Sequence, residues 1–325
     1  KRINAGLLRS AKSVWQNNVS TEPRASIIVC LYGKPEFMFL QSSSFFRSFS
    51  ASEYEFIYVC NSPELLETLV KTAAACEVVY DMRLTVVGLS GNVGFGGANN
   101  AASRYANSGR LLFLNPDVFP CEPSWLQKHE TVLRGLPEEQ TRLFGSRLFY
   151  ADGSLMHAGM YFEMEPGISL NQNELRSREL VRVEHYGKGA PPTARRFCGS
   201  ARVPAVSGAF ISMDRGLFER LNGFSDEVIY GHYEDADLCL RAMKTGAAAW
   251  VHDVPMWHLE GKGSTRLPHH DGASLVNRWS FAQRWGTLLR SGWLGPEPAA
   301  FALEANANRQ LGAGAGMRPL ATAAE

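Results

Sequence analysis

Four short, unbroken apolar runs in the first 120 residues constrain the fold most. They are Ala25–Tyr32 (ASIIVCLY), Glu55–Cys60 (EFIYVC), Leu84–Leu89 (LTVVGL) and Leu111–Leu114 (LLFL). Each has strand length and none alternates apolar with polar, the mark of strands buried on both faces. Between them lie segments with helical spacing: Pro35–Phe49, where Phe39, Phe45, Phe46 and Phe49 can share a face, then Leu65–Cys76 and Ala98–Asn107. Regular alternation of buried strand and helix predicts βαβ units around a parallel sheet with helices on both faces, an α/β class fold.

The chain has 325 residues, 45% hydrophobic and 20% charged, enough for a large core in one domain or two smaller ones. Its 33 basic and 32 acidic residues leave a net charge of +1, so no charge excess points to nucleic acid or an anionic membrane as the main partner, and peripheral membrane association stays open. The cysteines at 30, 60, 76, 121, 198 and 239 form no CxxC pair, so a structural zinc site is not expected and a reducing, cytoplasmic compartment is. No apolar run reaches the roughly 18 residues of a membrane span. The opening KRINAGLLRSAKSVW has no cleavage site. A start at Lys1 fits a processed protein or an excised piece of a longer one.

Residues 1–22 read as a short helix and a polar link. Beyond residue 120, a helix is expected over Trp125–Arg134 and short strands from Leu143 to Phe162. A long polar loop is expected over Met164–Arg196, and a strand region over Val203–Met213. The reading ends with a helix at Tyr233–Thr245, a strand at Ala248–Val254 and a terminal helix at Ser274–Leu289. The Ala/Gly-rich residues 291–325 read as a flexible tail. The main domain is thus placed at 23–290, with halves 23–120 and 121–290.

Four features carry chemistry. The turn Asn92-Val-Gly-Phe-Gly-Gly-Ala-Asn-Asn100 joins the third strand to a helix, where glycines let backbone approach an anion. It could also be a tight packing turn. As a dinucleotide fingerprint it lacks the third glycine and follows the wrong strand, although Asp117 falls about 20 residues on. Asp117, in Asn115-Pro-Asp-Val118, lies just past a buried strand, at the sheet edge where α/β folds bind ligands. There it could share a hard cation with a diphosphate, or simply serve a turn. Glu234, Asp235 and Asp237 open a helix with apolar positions 236, 239, 240 and 243, Arg241 and Lys244 near its end and Gly246 after it. The helix dipole alone favours such acids, but they follow the aromatic stretch Val228–Tyr233, which could wall a cleft, and one could act as a general base. His258 follows the last strand and precedes a Gly-rich loop, where a neutral imidazole could complete a site begun by Asp117. His232, His252, His269 and His270 show no ligand-like spacing and are read as structural or surface residues.

In combination these segments resemble the family 2 glycosyltransferases of the GT-A fold, in the flavour of the rhamnosyltransferase-like and galactofuranosyltransferase-like members. The resemblance covers about residues 24–290. Its marks, in order, are ASIIVCLYGKPEF, LSGNVGFGGANNAA, LLFLNPDVFP, DGSLMHAG, VPAVSGAFISMDRGLFERLNGF, YEDADLCLR and MWHLEGKGS. It implies an inverting enzyme that moves a sugar from a nucleotide-sugar donor to an acceptor hydroxyl. Asp117 and His258 would hold Mn²⁺ or Mg²⁺ on the donor diphosphate. Asp235, beside Glu234, would be the catalytic base. Tyr32, Asn61, Asn92, Gly94, Asn100 and Asn115 would line the nucleotide, and Ser207, Gly208, Ala209 and Trp257 would lie beneath donor sugar and acceptor. The implied donor is UDP- or dTDP-linked and the acceptor a glycan or lipid-linked glycan. The work would be polysaccharide or surface glycan synthesis, in the cytoplasm or at the inner face of the membrane. The chain departs from the family at Asn115, where the DxD-type motif has an acid, and at Cys60-Asn61, where an acid meets the base. These departures leave open a second reading, a catalytically inactive nucleotide- or glycan-binding domain of a larger assembly protein.

Overall fold

The computed structural model describes residues 11–16, 22–46, 53–135, 141–165, 180–265 and 267–293. The first half runs β1 (Lys12–Gln16), β2 (Ser26–Leu31), α1 (Glu36–Phe46), β3 (Glu55–Cys60), α2 (Leu66–Tyr80), β4 (Arg83–Gly88), α3 (Gly94–Ala102) and β5 (Arg110–Leu114). It continues through β6 (Val118–Pro120), α4 (Trp125–Gly135), β7 (Thr141–Phe149), β8 (Leu155–His157), β9 (Met160–Glu165) and β10 (Leu180–His185). The last elements are β11 (Ala201–Val203), β12 (Phe210–Asp214), α5 (Arg215–Arg220), α6 (Glu234–Lys244), β13 (Ala248–His258) and α7 (Pro268–Arg290).

One sheet spans both halves of the chain, in the order β1-β4-β3-β2-β5-β12-β7-β13-β11, with β6 and β8 attached to β13 and β7; β9 and β10 form a separate hairpin. The four strands read as continuous apolar runs are its parallel core. Every residue of β2 is buried. Ile27, Val29 and Leu31 point to one face, packed with residues of α1, α2 and α4; Ile28 and Cys30 point to the other, packed with residues of α3, α5, α6 and α7. β12 runs antiparallel to β5 and to β7, and β13 parallel to β7. The carboxyl ends of β2, β3, β4, β5, β7 and β13 therefore face one edge.

The opposite edge is closed by a buried carboxylate. Glu55 accepts from the Ser26 hydroxyl, from the Asn107 N–H at 2.5 Å and from the Asn107 amide at 2.8 Å, while Ser108 N donates to Ser26 Oγ. Strands β2 and β3 and the turn before β5 are thus locked at their amino ends, and the carboxyl edge carries the loops that can serve a ligand.

Several expectations need correction. Lys12–Gln16 is a strand antiparallel to β4, from Lys12↔Gly88 to Gln16↔Thr85, rather than part of a helix. The edge of β4 presents unpaired backbone groups, and a Lys-Ser-Val-Trp-Gln segment satisfies them. The remaining residues of the expected 1–22 segment, apart from Ala11 and Glu22, lie outside the described ones, as do 294–325 of the expected tail. Helix α1 buries Phe37, Met38, Gln41, Ser42 and Phe45, not the face of Phe39 and Phe46, which instead lie exposed against Tyr80; Phe49 lies outside the described residues. Within the expected loop 164–196, Leu180–His185 is a strand paired to Met160–Glu165. Its alternating LVRVEH suits a hairpin with one covered face. Of its two readings, structural or surface, His252 takes the structural one. Fully buried, its Nε2 lies 2.8 Å from His129 Nδ1, and His129 Nε2 lies 2.8 Å from Ser212 Oγ. All six cysteines are free, and burial pushes the Cys30 thiol up to about 12. No helix among the described residues is long and apolar enough to cross a membrane.

The buried histidines make stability depend on pH. Burial lowers the His252 imidazole from 6.5 to about 4 and pushes His129 and His157 well down. As pH falls, the unfolded chain takes up these protons first, so stability present above pH 6.5 is lost towards pH 4. His252 alone accounts for about 3 kcal/mol of this loss. Urea midpoints should be flat just above pH 6.5 and fall below it; a midpoint insensitive to acid would contradict a neutral buried pair.

Candidate active site

Most of the residues singled out in the sequence come to the carboxyl edge. Asp117 follows β5 after Pro116, and His258 ends β13, paired across the sheet with Val118. Asp117 is 3% exposed. Its Oδ2 accepts from Gly263 N at 2.9 Å and Lys262 N at 3.2 Å, and its Oδ1 lies 3.4 Å from His258 Nε2. The Asp117 carbonyl accepts from Leu259 N. Burial alone would raise this carboxyl; hydrogen bonding and charge from His258, with the Gly263 N–H, outweigh burial and hold it below the ordinary value. The loop fits only because residue 263 is glycine, since a Cβ there would stand 2.8 Å from Asp117 Cγ.

The same loop reaches β2. Thr265 N donates to the Tyr32 carbonyl, and a Cβ on Gly33 (φ +71°) would stand 2.1 Å from Thr265 Oγ1. The Tyr32 ring meets His270 edge-on at 5.8 Å, and His270 meets Tyr230 at 5.0 Å. His270, read as structural or surface, thus belongs to the rim beside Tyr32.

Asn61, Asn92 and Gly94 come together, but largely with one another. Asn61 Nδ2 donates to Asn92 Oδ1, Val93 N donates to Asn61 Oδ1, and Gly94 N donates to Asn92 Oδ1, each at 2.9 Å. Phe95 N donates to the Tyr230 carbonyl at 2.5 Å. Gly94, at φ +78°, is pressed on Tyr230, whose Cα would lie 2.6 Å from an added Cβ. These N–H groups therefore clamp the turn. Asn100 faces away, pinning Phe224 through both its N–H and its carbonyl.

Tyr230, His232 and Tyr233 all have positive φ, at 59°, 73° and 75°. Three strained residues directly before Asp235 mark a segment held by its surroundings. Asn277 of α7 supplies much of the hold, accepting from Ile229 N and donating to the Ile229 and Gly231 carbonyls. Asp235 then opens α6, with Oδ2 accepting from Gly208 N at 2.8 Å and Oδ1 from Ala236 N at 2.8 Å. Each oxygen keeps a further lone pair. Glu234 does not join it. Its side chain is buried, Oε2 has no hydrogen-bond partner among the described residues, and burial followed by the Asp235 charge pushes its carboxyl well up. Of the two acids, Asp235 is the one whose carboxylate oxygens are both held by backbone N–H groups.

The segment Ser207–Ala209 joins the two acids. Gly208 N binds Asp235, and the Ala209 carbonyl accepts from Asn115 N, two residues before Asp117. The Asn115 carbonyl is fixed in turn by Gln41 of α1. Trp257 is 5% exposed and packs with Phe149, Leu155, Ala158 and Tyr186. Sequence reasoning missed His157 and His185, whose rings lie 2.8 Å apart nitrogen to nitrogen. The stretch DGSLMHAG drew attention as a mark, and the signal available in it was the His157-Ala-Gly159 turn, with Gly159 at φ +103°.

A divalent cation fits this edge in one way. Asp117 Oδ1 and His258 Nε2, 3.4 Å apart, stand near the roughly 3 Å between adjacent ligands of one small ion. Among the described residues no group of three or more His, Cys, Asp or Glu side chains is arranged to hold a metal. Asp117 and His258 are therefore the two side chains here that could hold such an ion, with oxygens of a ligand or water needed to complete the shell.

A parallel core continued by mixed strands, helices on both faces and a loop-bearing carboxyl edge define the GT-A glycosyltransferase fold. Known proteins agree at that level. The fold is shared with the mannosyltransferase PcManGT from Pyrobaculum calidifontis, solved in complex with GDP-Man and Mn²⁺ (TM-score 0.52, 16% identity, 87% of this chain and 70% of that one). It is also shared with GalNAc-T7, solved with UDP, GalNAc and Mn²⁺ (TM-score 0.54, 12% identity, 81% of this chain and 48% of that one). By sequence the chain is 25% identical over 288 residues to the O-antigen biosynthesis protein RfbC of Myxococcus xanthus, covering 85% of this chain and 20% of RfbC. It is 25% identical over 194 residues to the uncharacterized protein y4gI of Sinorhizobium fredii (strain NBRC 101917 / NGR234), covering 60% of this chain and 19% of that protein. The chain thus spans about a fifth of the length of these relatives. No family model matches it.

Replacing His258 by Phe should raise the Asp117 carboxyl, because burial then acts with less opposition. Carboxyl ¹³C shifts followed against pH would report it; an Asp117 titration that stays put would show that His258 does not hold the charge.

Proposed function

We propose that this chain is an inverting, metal-dependent glycosyltransferase domain that moves a sugar from a nucleotide-sugar donor, UDP- or dTDP-linked, to an acceptor hydroxyl in surface glycan synthesis. The observation that carries the reading is the joining of two acids through one loop. Asp117, paired with His258, and Asp235, bonded to Gly208, are both tied to Ser207–Ala209 at the carboxyl edge. The fold shared with GT-A enzymes and the likeness to an O-antigen biosynthesis protein support it. The family 2 resemblance, in its rhamnosyltransferase-like and galactofuranosyltransferase-like flavour, agrees with both.

In this reading Tyr32 and the Asn61–Asn92 clamp shape the nucleotide side, and Asp117 and His258 would hold Mn²⁺ or Mg²⁺ for the diphosphate. Bound there, the ion supplies positive charge against the departing nucleoside diphosphate. Asp235 accepts the proton of the acceptor hydroxyl as that oxygen bonds the anomeric carbon, and the bond from that carbon to the diphosphate oxygen breaks. The Gly208 N–H fixes the carboxylate so that its remaining lone pairs point consistently. The loop 259–265, seated on Asp117 and Tyr32, keeps water from the same carbon. Glu234, buried and with its carboxyl pushed up by burial and by the Asp235 charge, is the less suited of the two acids to take that proton.

Asp235→Asn should keep donor binding and lower transfer by about 10²–10⁴-fold, measured as nucleoside diphosphate release. Near-normal turnover would remove Asp235 from the role of base. Saturating donor with Mn²⁺ should add about 2.7 kcal/mol at a hundredfold excess over Kd, read as a thermal shift across UDP-, dTDP- and GDP-sugars. EDTA, Asp117→Ala and His258→Ala should each abolish most of that shift. Donor binding with no donor hydrolysis or transfer would instead favour the non-catalytic binding domain, to which Asn115 in place of an acid points.

A further inference from the structure

Behind the Ser207–Ala209 segment two histidines form a directed chain. His157 is fully buried, and its Nε2 accepts from Gly159 N at 3.2 Å and from Ser207 N at 3.4 Å. Accepting there requires the proton to sit on Nδ1, which then donates to His185 Nδ1 at 2.8 Å. His185, accepting at Nδ1, carries its own proton on Nε2. Burial lowers both imidazoles, which keeps the pair neutral and the direction of the chain fixed. Asp235 lies close enough to act electrostatically on His185.

His185 also lines a groove of about 640 Å³ with Tyr161, Tyr186, Lys188, Arg196 and Phe197. That volume is within the roughly 300–1,000 Å³ of small-ligand sites. Tyr161 and Tyr186 lie 4.8 Å apart, tilted by 35°, and the Arg196 guanidinium lies over the Phe197 ring at 5.7 Å. The partly exposed rings of Tyr161 and Phe197 beside His185, Lys188 and Arg196 offer apolar and hydrogen-bonding surface together, which suits a pyranose ring with its apolar C–H faces and polar rim. The groove is thus linked to the Asp235 anchor through His185, His157 and the Ser207–Gly208 main chain.

We propose that this groove is the acceptor subsite, that it takes a glycoside unit of the acceptor glycan, and that the His185 Nε2–H donates to an acceptor oxygen, holding that sugar beside Asp235. This rests on the glycosyltransferase reading. His185 acts as a binding group, and His157 as a positioning residue that sets its tautomer while anchoring the Ser207 N–H next to the one that holds Asp235.

The test uses the whole chain with ¹⁵N-labelled histidine and a panel of octyl rhamnosides, galactosides, glucosides and mannosides as acceptor probes. A probe that accepts sugar should shift the His185 Nε2 resonance. His185→Phe should raise that probe's KM by about ten-fold, the loss of one good hydrogen bond, while the donor's KM holds. His185→Asn, which keeps an N–H donor, should recover part of the loss. His157→Phe should move both the acceptor KM and kcat, since it releases Ser207 as well. A probe glycosylated with an unaltered KM by His185→Phe overturns the proposal, as does a panel in which no member perturbs His185 although the nucleotide-sugar binds and is hydrolysed. A wild-type chain that neither hydrolyses nor transfers the donor fails at the earlier step, and the acceptor assignment falls with it.

Discussion

A buried carboxylate must be satisfied, and at Asp117 that requirement organises the site. Its two oxygens draw in backbone from the loop after β13 and the imidazole at the end of β13, while its position after β5 is set by the parallel core. Without those partners the charge would be expelled from an almost dry position. With them, three elements far apart in sequence meet within hydrogen-bonding distance. The loop 259–265 is therefore closed down by the acid it covers, and it carries Thr265 onto β2 in the same movement.

The second organising element is a short stretch of main chain. Ser207, Gly208 and Ala209 direct their backbone groups to His157, Asp235 and Asn115 respectively. Three bonds from three consecutive residues hold Asp235, the turn after β5 and a histidine pair in one frame. Main-chain bonds suit this task because the peptide unit is rigid, so a shift at one partner is felt at the others. The strained run Tyr230–Tyr233 completes the frame from the other side, with Asn277 and Phe95 bearing on it.

The parts legible in the sequence share a physical reason. β2 to β5 are buried on both faces, so their residues are apolar without interruption, and no alternative element explains such runs. The start of α6 was legible because acids gather at a helix amino end, and Gly246, at φ +86°, ends that helix as read. What escaped was decided by partners distant in the chain. Lys12–Gln16 is a strand only because β4 offers an open edge, and Leu180–His185 only because β9 lies beside it. Asn61 and Asn92 were legible as amides at the right edge, but not as partners of each other. His157 and His185, 28 residues apart, meet only after two separate strand pairings have formed.

The loop that covers Asp117 grips it through the main chain of Lys262 and Gly263 and grips Tyr32 through the main chain of Thr265. On the loop's own part none of these bonds uses a side chain, and Glu260, Lys262 and Ser264 are exposed. Closure and side-chain chemistry are thereby uncoupled. Substitution at those exposed positions can therefore change the chemistry of the rim while Gly263 and Asp117 keep the latch intact.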